Sequence, residues 1–152
     1  MLVNAIVAYL HYLSLAIIFG SLCTELFTLK PDLTNKEGWR VLIADSAYGI
    51  AGVTVLITGV LRVLYLEKGP AYYTHQPVFW LKISIFILVG LLSLYPTFSF
   101  LMWIKNLRNQ NSPEVSPEKI NLLKTIIRLE LVGFSVIPLF ASMMARGIRL
   151  GL

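Results

Sequence analysis

Four long apolar stretches, at roughly 2–29, 41–66, 76–105 and 118–146, decide what this chain can become. Each exceeds the ~20 residues that an α-helix needs to cross the hydrocarbon core of a bilayer. Lipid offers no hydrogen bonds, so a spanning segment must pair its backbone within a helix or close into a barrel. The runs are continuous and lack the period-two alternation of barrel strands, which excludes the second solution. The expected fold class is all-α, an integral membrane four-helix bundle forming one domain over 1–152. Composition agrees: 14% of the residues are charged, against about 25% in soluble domains.

Punctuation separates the runs. Pro31 ends the first, Gly69-Pro70 divides the second from the third, and Gln76-Pro77 opens the third. Asn106–Pro117 is the obvious polar loop, and Ser116-Pro117-Glu118 reads as a helix start with serine at the N-cap and proline at N1. No internal repeat is evident. No Lys or Arg precedes the first run, so it lacks the basic region of a signal peptide and is expected to stay as a span. The single cysteine, Cys23, excludes a disulfide framework or a Cys-based metal site within one chain. Leu22 precedes it where a lipoprotein signal needs a small residue, so it reads as a small buried hydrophobe.

Four spans place both termini on one side. Lys30, Lys36, Arg40, Lys105, Arg108, Lys119 and Lys124 flank loops one and three, while Arg62, Lys68, Arg146 and Arg149 lie on the other side. The bias puts loops one and three in the cytoplasm and both termini outside. Trp39 and Trp103 mark one interface; Tyr72, Tyr73 and Trp80 mark the other. The net charge of +5 suits anionic headgroups. Basic residues are scattered rather than clustered, which speaks against nucleic acid as a partner.

Ionisable residues inside the spans fall into two layers. His11 lies ~13 Å from the outer end of span one, and Lys82 ~8–9 Å deep in span three from the same side. Arg62 and Arg146 sit near the outer ends of spans two and four. The inner half instead holds Glu25, Asp45 and Glu130, with Arg128 and Lys124 as candidate counter-ions. Helical spacing puts Glu25 on nearly the same face as His11, and makes Asp45, Gly52 and Gly59 a stripe of small or polar residues in span two. Each group also has a plain structural reading. Arg62, Arg146 and Lys82 can snorkel to headgroups, the inner charges can form an ion-pair layer, and His11 can be interhelical glue. His75 belongs to a solvated loop, and Pro96 and Pro138 kink helices whose neighbours satisfy the freed carbonyls.

An intramembrane ionisable group is nevertheless functional by default. Neutral imidazole is a good axial ligand for haem iron, and haem carries two carboxylates that need cationic partners near the membrane edge. His11 as metal ligand, with Lys82, Arg62 and Arg146 as cofactor-binding cations, meets both needs for haem b or another porphyrin. Met143 and Met144 lie at a similar level and offer sulfur. No second histidine falls within a span, so bis-histidine ligation in one chain is not expected.

His11, the segment Gly69 to Pro77 with Tyr72 and Tyr73, Phe79-Trp-Leu-Lys82, Leu92-Ser-Leu-Tyr-Pro-Thr97 and Ile137-Pro-Leu-Phe-Ala-Ser-Met-Met-Ala-Arg-Gly147 carry a resemblance. Across nearly its whole length the chain resembles a family of predicted bacterial and cyanobacterial membrane proteins, a domain of unknown function. More distantly, His11 and Lys82 make it similar to HemJ-type protoporphyrinogen oxidases and CopD-like copper-resistance membrane domains. The HemJ likeness implies a bound haem. The chain is short for that group and lacks its further span histidines, which leaves enzymatic activity open.

Three readings follow. The first is a multi-pass protein of a bacterial or cyanobacterial membrane that binds haem or a porphyrin in its outer half, with a redox role. The second is a non-enzymatic scaffold or assembly factor, with a membrane-protein or homo-oligomeric partner and the Asp45 stripe as packing face. The third is a small transporter using Glu25, Asp45 and Glu130.

Overall fold

The computed structural model describes residues 1–146; Arg149, counted above among the outer basic residues, lies outside them, as does Gly147. The expected fold class is found. Four long apolar helices, Leu2–Thr28, Asn35–Leu66, Pro77–Arg108 and Pro117–Ala145, each have the length and hydropathy to span a bilayer. In detail they are α1 (Leu2–Thr28), α2 (Asn35–Leu61), a short α3 (Pro70–Thr74), α4 (Pro77–Leu101), α5 (Ile104–Arg108) and α6 (Pro117–Ala145). One π-helical turn, Arg62–Leu66, extends α2. No strand occurs among the described residues.

Local chemistry explains where the helices begin. α2 starts at Asn35 rather than near 41, because Thr34 and Glu37 form a complete capping box. The polar first turn hides this start from hydropathy. Ser116 caps α6 as its sequence implies, its Oγ accepting from the Lys119 N–H. Gly69 adopts φ 83°, a left-handed conformation that costs glycine no steric penalty, and turns the chain into α3. The third span is broken at Met102-Trp103 before α5 resumes, so helix reaches Arg108 and shortens the expected polar loop. Pro96 and Pro138 lie within α4 and α6 without ending either helix.

α1 packs against α2 and α4 against α6; contacts of α1 with α6 and of α2 with α4 close the ring. The core contains Ile18, Leu22, Val41, Val55, Val89, Phe100, Leu123, Ile127 and Phe134, all buried. Outside, Ile50, Leu56, Leu88, Leu91, Phe98, Leu129 and Val132 are exposed, as the lipid-facing side of a membrane bundle requires. A smaller cluster of Tyr73, Val78, Phe79 and Met144 fastens α3 to the outer ends of α4 and α6. Trp80 Nε1 donates to the Thr74 carbonyl at 3.0 Å and secures the same corner.

Candidate functional site

The outer layer is built where α1 meets the C-terminal third of α2. His11 is half-buried, and its Nδ1 lies 2.8 Å from Thr58 Oγ1. That hydroxyl has one proton, and it sits 2.6 Å from the carbonyl of Thr54, which can only accept. The Thr58 proton therefore goes to the carbonyl, and His11 Nδ1 donates to Oγ1. The Val55 carbonyl also lies near the ring; in the neutral imidazole with its proton on Nδ1, Nε2 is unprotonated. Gly59 faces the ring: a Cβ there would meet His11 Cε1 at 3.5 Å, an ordinary contact that alanine could make. Larger side chains would press on the ring.

One turn further, Arg62 points back over α1. Its Nε donates to Glu67 Oε1 at 2.7 Å, its Nη2 bonds the same oxygen, and its guanidinium lies 5.2 Å from the Tyr12 ring centroid. Tyr73 donates its hydroxyl to the other Glu67 oxygen. Glu67 thus joins the π-helical turn of span two to α3. Burial works against the ionised carboxylate, but the Tyr73 hydroxyl and the Arg62 guanidinium outweigh it and hold Glu67 below its ordinary value. Burial, with the neighbouring Glu67, pushes the Tyr73 hydroxyl well above the usual phenol range.

The sign for stability follows directly. A carboxyl held low in the folded state contributes stability above its unfolded value of about 4.3, and loses it as pH falls through the folded value. Acidification below about pH 4 is therefore expected to loosen the Gly69–Thr74 corner. Amide hydrogen exchange of Tyr72 and Tyr73 reads this directly, and Glu67→Gln should flatten the acid limb. An acid limb unchanged by that substitution would contradict the assignment.

Lys82, half-buried on α4, places Nζ 5.5 Å from the Phe79 ring centroid. It has no carboxylate within ion-pair range among the described residues, whose two ion pairs are Lys30–Glu37 and Arg62–Glu67. His11, Arg62, Glu67 and Lys82 are near enough to act on one another's charge. Arg146 is exposed just beyond α6, and its guanidinium enters none of the described hydrogen bonds or ion pairs. Met144 is buried against Tyr73 and Phe79, a packing position. His75 is exposed, its Nδ1 2.6 Å from the Ala71 carbonyl.

The inner layer differs from an ion-pair layer. Glu25, Asp45 and Glu130 are buried, but Arg128 is exposed and forms no described ion pair. Its position on α6 puts it half a turn from Glu130, towards lipid rather than towards the acids. Asp45 instead accepts from Thr97 Oγ1 of α4 at 2.8 Å. The stripe Asp45, Gly52, Gly59 is also divided: Asp45 and Gly59 are used inside the bundle, whereas a Cβ at Gly52 would meet nothing within 4 Å.

Sequence reasoning placed Glu67 at the edge of the outer half and Tyr73 at the same interface, but missed Thr58 and the pairing of Glu67 with Arg62 and Tyr73. The spacing of Asp45, Tyr48, Val55 and Thr58 along one face of α2 was the available signal for Thr58. The pairing depends on the turn at Gly69 and left no periodic trace.

A family model described as Predicted membrane protein (DUF2214) matches residues 3–149. No curated protein and no solved structure matches the chain.

Proposed function

The chain belongs to the DUF2214 family of predicted membrane proteins, and on that premise we propose that its outer half binds haem or a related metalloporphyrin in a redox role. The observation that carries this reading is the contact of His11 Nδ1 with Thr58 Oγ1, whose own proton goes to the Thr54 carbonyl, so that Nδ1 donates and Nε2 is the acceptor. Metal-ligating histidines characteristically donate their other ring N–H to such a partner, which sets ring orientation and raises ligand basicity.

The surrounding residues fit such a group in part. Lys82 carries a charge with no paired carboxylate, and suits a propionate. Arg62 is already engaged by Glu67 and Tyr12, so it contributes field and position rather than a free carboxylate site. No group of three His, Cys, Asp or Glu suited to a metal ion occurs among the described residues, and axial ligation by one histidine does not need one. Two cavities, of about 650 Å³ between loops one and three and about 220 Å³ beside α3, are not lined by His11. A ligand on His11 would dock against the α1–α2 pair, where the ring is half-buried. A bound haem would supply one-electron chemistry; the chain's part is to ligate, orient and neutralise.

The direct experiment is a haemin titration of the purified protein in lipid nanodiscs. A Soret shift that saturates at one haem per chain is expected; a colourless preparation that takes up no haemin would sink the proposal. The basic residues around loops one and three favour both termini on the non-cytoplasmic face of a bacterial or cyanobacterial membrane, with this site in the outer leaflet. Membrane-impermeant thiol labelling of Leu2→Cys in a Cys23→Ser background in whole cells tests that orientation.

A further inference from the structure

Three carboxylic side chains from three helices converge in the inner half of the bundle. Glu25 of α1 is 1% exposed, Asp45 of α2 6% and Glu130 of α6 1%. Glu25 is close enough to both others for their charges to act on it. α4 supplies hydroxyls only: Thr97, which donates to Asp45, and Ser93. The Tyr48 hydroxyl lies within reach of Glu130 and Ser93. Among the described residues no Lys, Arg or His forms an ion pair with any of the three acids.

A second observation separates this cluster from a mere group of acids. Glu25 Oε1 and Glu130 Oε1 are fully buried and have no hydrogen-bond partner, and Glu25 enters no described side-chain hydrogen bond. Buried polar atoms in native proteins are almost always paired, so an orphan calls for an explanation. Burying one ionised carboxylate costs several kcal/mol even after relaxation; three together with no cation would repel as well. Large apolar side chains close the cluster at both levels. Val41, Phe100, Leu123 and Ile127 lie towards loops one and three, and Ile18, Val55, Val89 and Phe134 towards the outer layer.

We propose that Glu25, Asp45 and Glu130 form an occluded proton-binding site, with Tyr48, Ser93 and Thr97 as its hydrogen-bonding lining. The two glutamates are carried as neutral carboxylic acids, each orphaned oxygen belonging to a group that has taken its proton from water. Release returns that proton to water, leaves a carboxylate, and requires the apolar layers to part so that water reaches the charge. The titratable groups facing the site are Glu25, Asp45, Tyr48 and Glu130; α4 contributes none. Among the described residues no group of three His, Cys, Asp or Glu is arranged to hold a metal ion, this one included, and Asp45 Oδ1 is already taken by Thr97. The proposal concerns a different layer from the His11 site and stands apart from it.

Infrared spectroscopy of the protein in nanodiscs tests it. The carbonyl stretch of protonated carboxyls should be present at neutral pH, shift slowly in heavy water, and be lost in the double variant Glu25→Gln, Glu130→Gln. Each single glutamine variant, being a neutral isostere, should fold with near-unchanged thermal stability and remove part of the band. A spectrum with all three groups ionised at neutral pH would overturn the proposal. So would a band untouched by both substitutions, or one abolished by added sodium or potassium, which would make this a metal-cation site.

Discussion

His11→Ala is expected to abolish the Soret shift on haemin addition, and Thr58→Val to weaken haemin binding about 10–100-fold while leaving a Soret band. The two effects differ because the two side chains do different work. Alanine removes the only imidazole within a span, and with it the lone pair that would meet the metal. Valine keeps the volume of Thr58 but deletes the acceptor that lies 2.8 Å from His11 Nδ1. The ring is then free to rotate or change tautomer, so Nε2 is no longer held as an acceptor. Thr58→Ser should restore most of the affinity, since it returns the hydroxyl. Were His11 only interhelical glue, both variants would lower bundle stability alike and neither would touch a spectrum. Equilibrium haemin titration alongside thermal unfolding of the same preparations separates these outcomes.

Gly133→Ala is expected to destabilise the bundle by about 1–3 kcal/mol, and Gly133→Leu by more. α4 and α6 pack tightly here: a Cβ on Gly133 would collide with Cγ2 of Val89 and meet Cγ2 of Ile85 at 3.8 Å. Val89 is β-branched and 4% exposed, so it has neither a flexible end nor space to retreat. Association of helices in lipid draws on close packing, because lipid tails are as apolar as the side chains they replace. Forcing the pair apart therefore forfeits the contacts that hold it. The partner substitution Val89→Ala should recover most of the loss in Gly133→Ala, a coupling a double-mutant cycle measures. Additive losses would show that the strain lies elsewhere.

The outer and inner layers show how far a membrane sequence can be read. Hydropathy reveals the spans because a bilayer imposes a minimum apolar length, and that constraint acts on each segment alone. The capping box at Thr34 was also present in the chain, as Thr-Asn-Lys-Glu, yet lay outside the apolar run that marks the span. Depth along a helix places His11 with Arg62 and Lys82, and Glu25 with Asp45 and Glu130. Pairing is another matter. Arg128 sits at the right level for the acids but on the wrong face, and Glu67, at the edge of span two, is the residue that claims Arg62.

By itself the sequence determined that this is an all-α, four-span membrane protein with a histidine and cations at one level and carboxyls at another. Only the tertiary structure decided that Thr58 orients His11, that Glu67, held by Tyr73, occupies Arg62, and that three carboxyls meet without a cation. The reason is physical. A span is required by the solvent around one helix, whereas a partner depends on the rotation of two helices and the turn between them, which 1.5 Å of rise per residue does not encode.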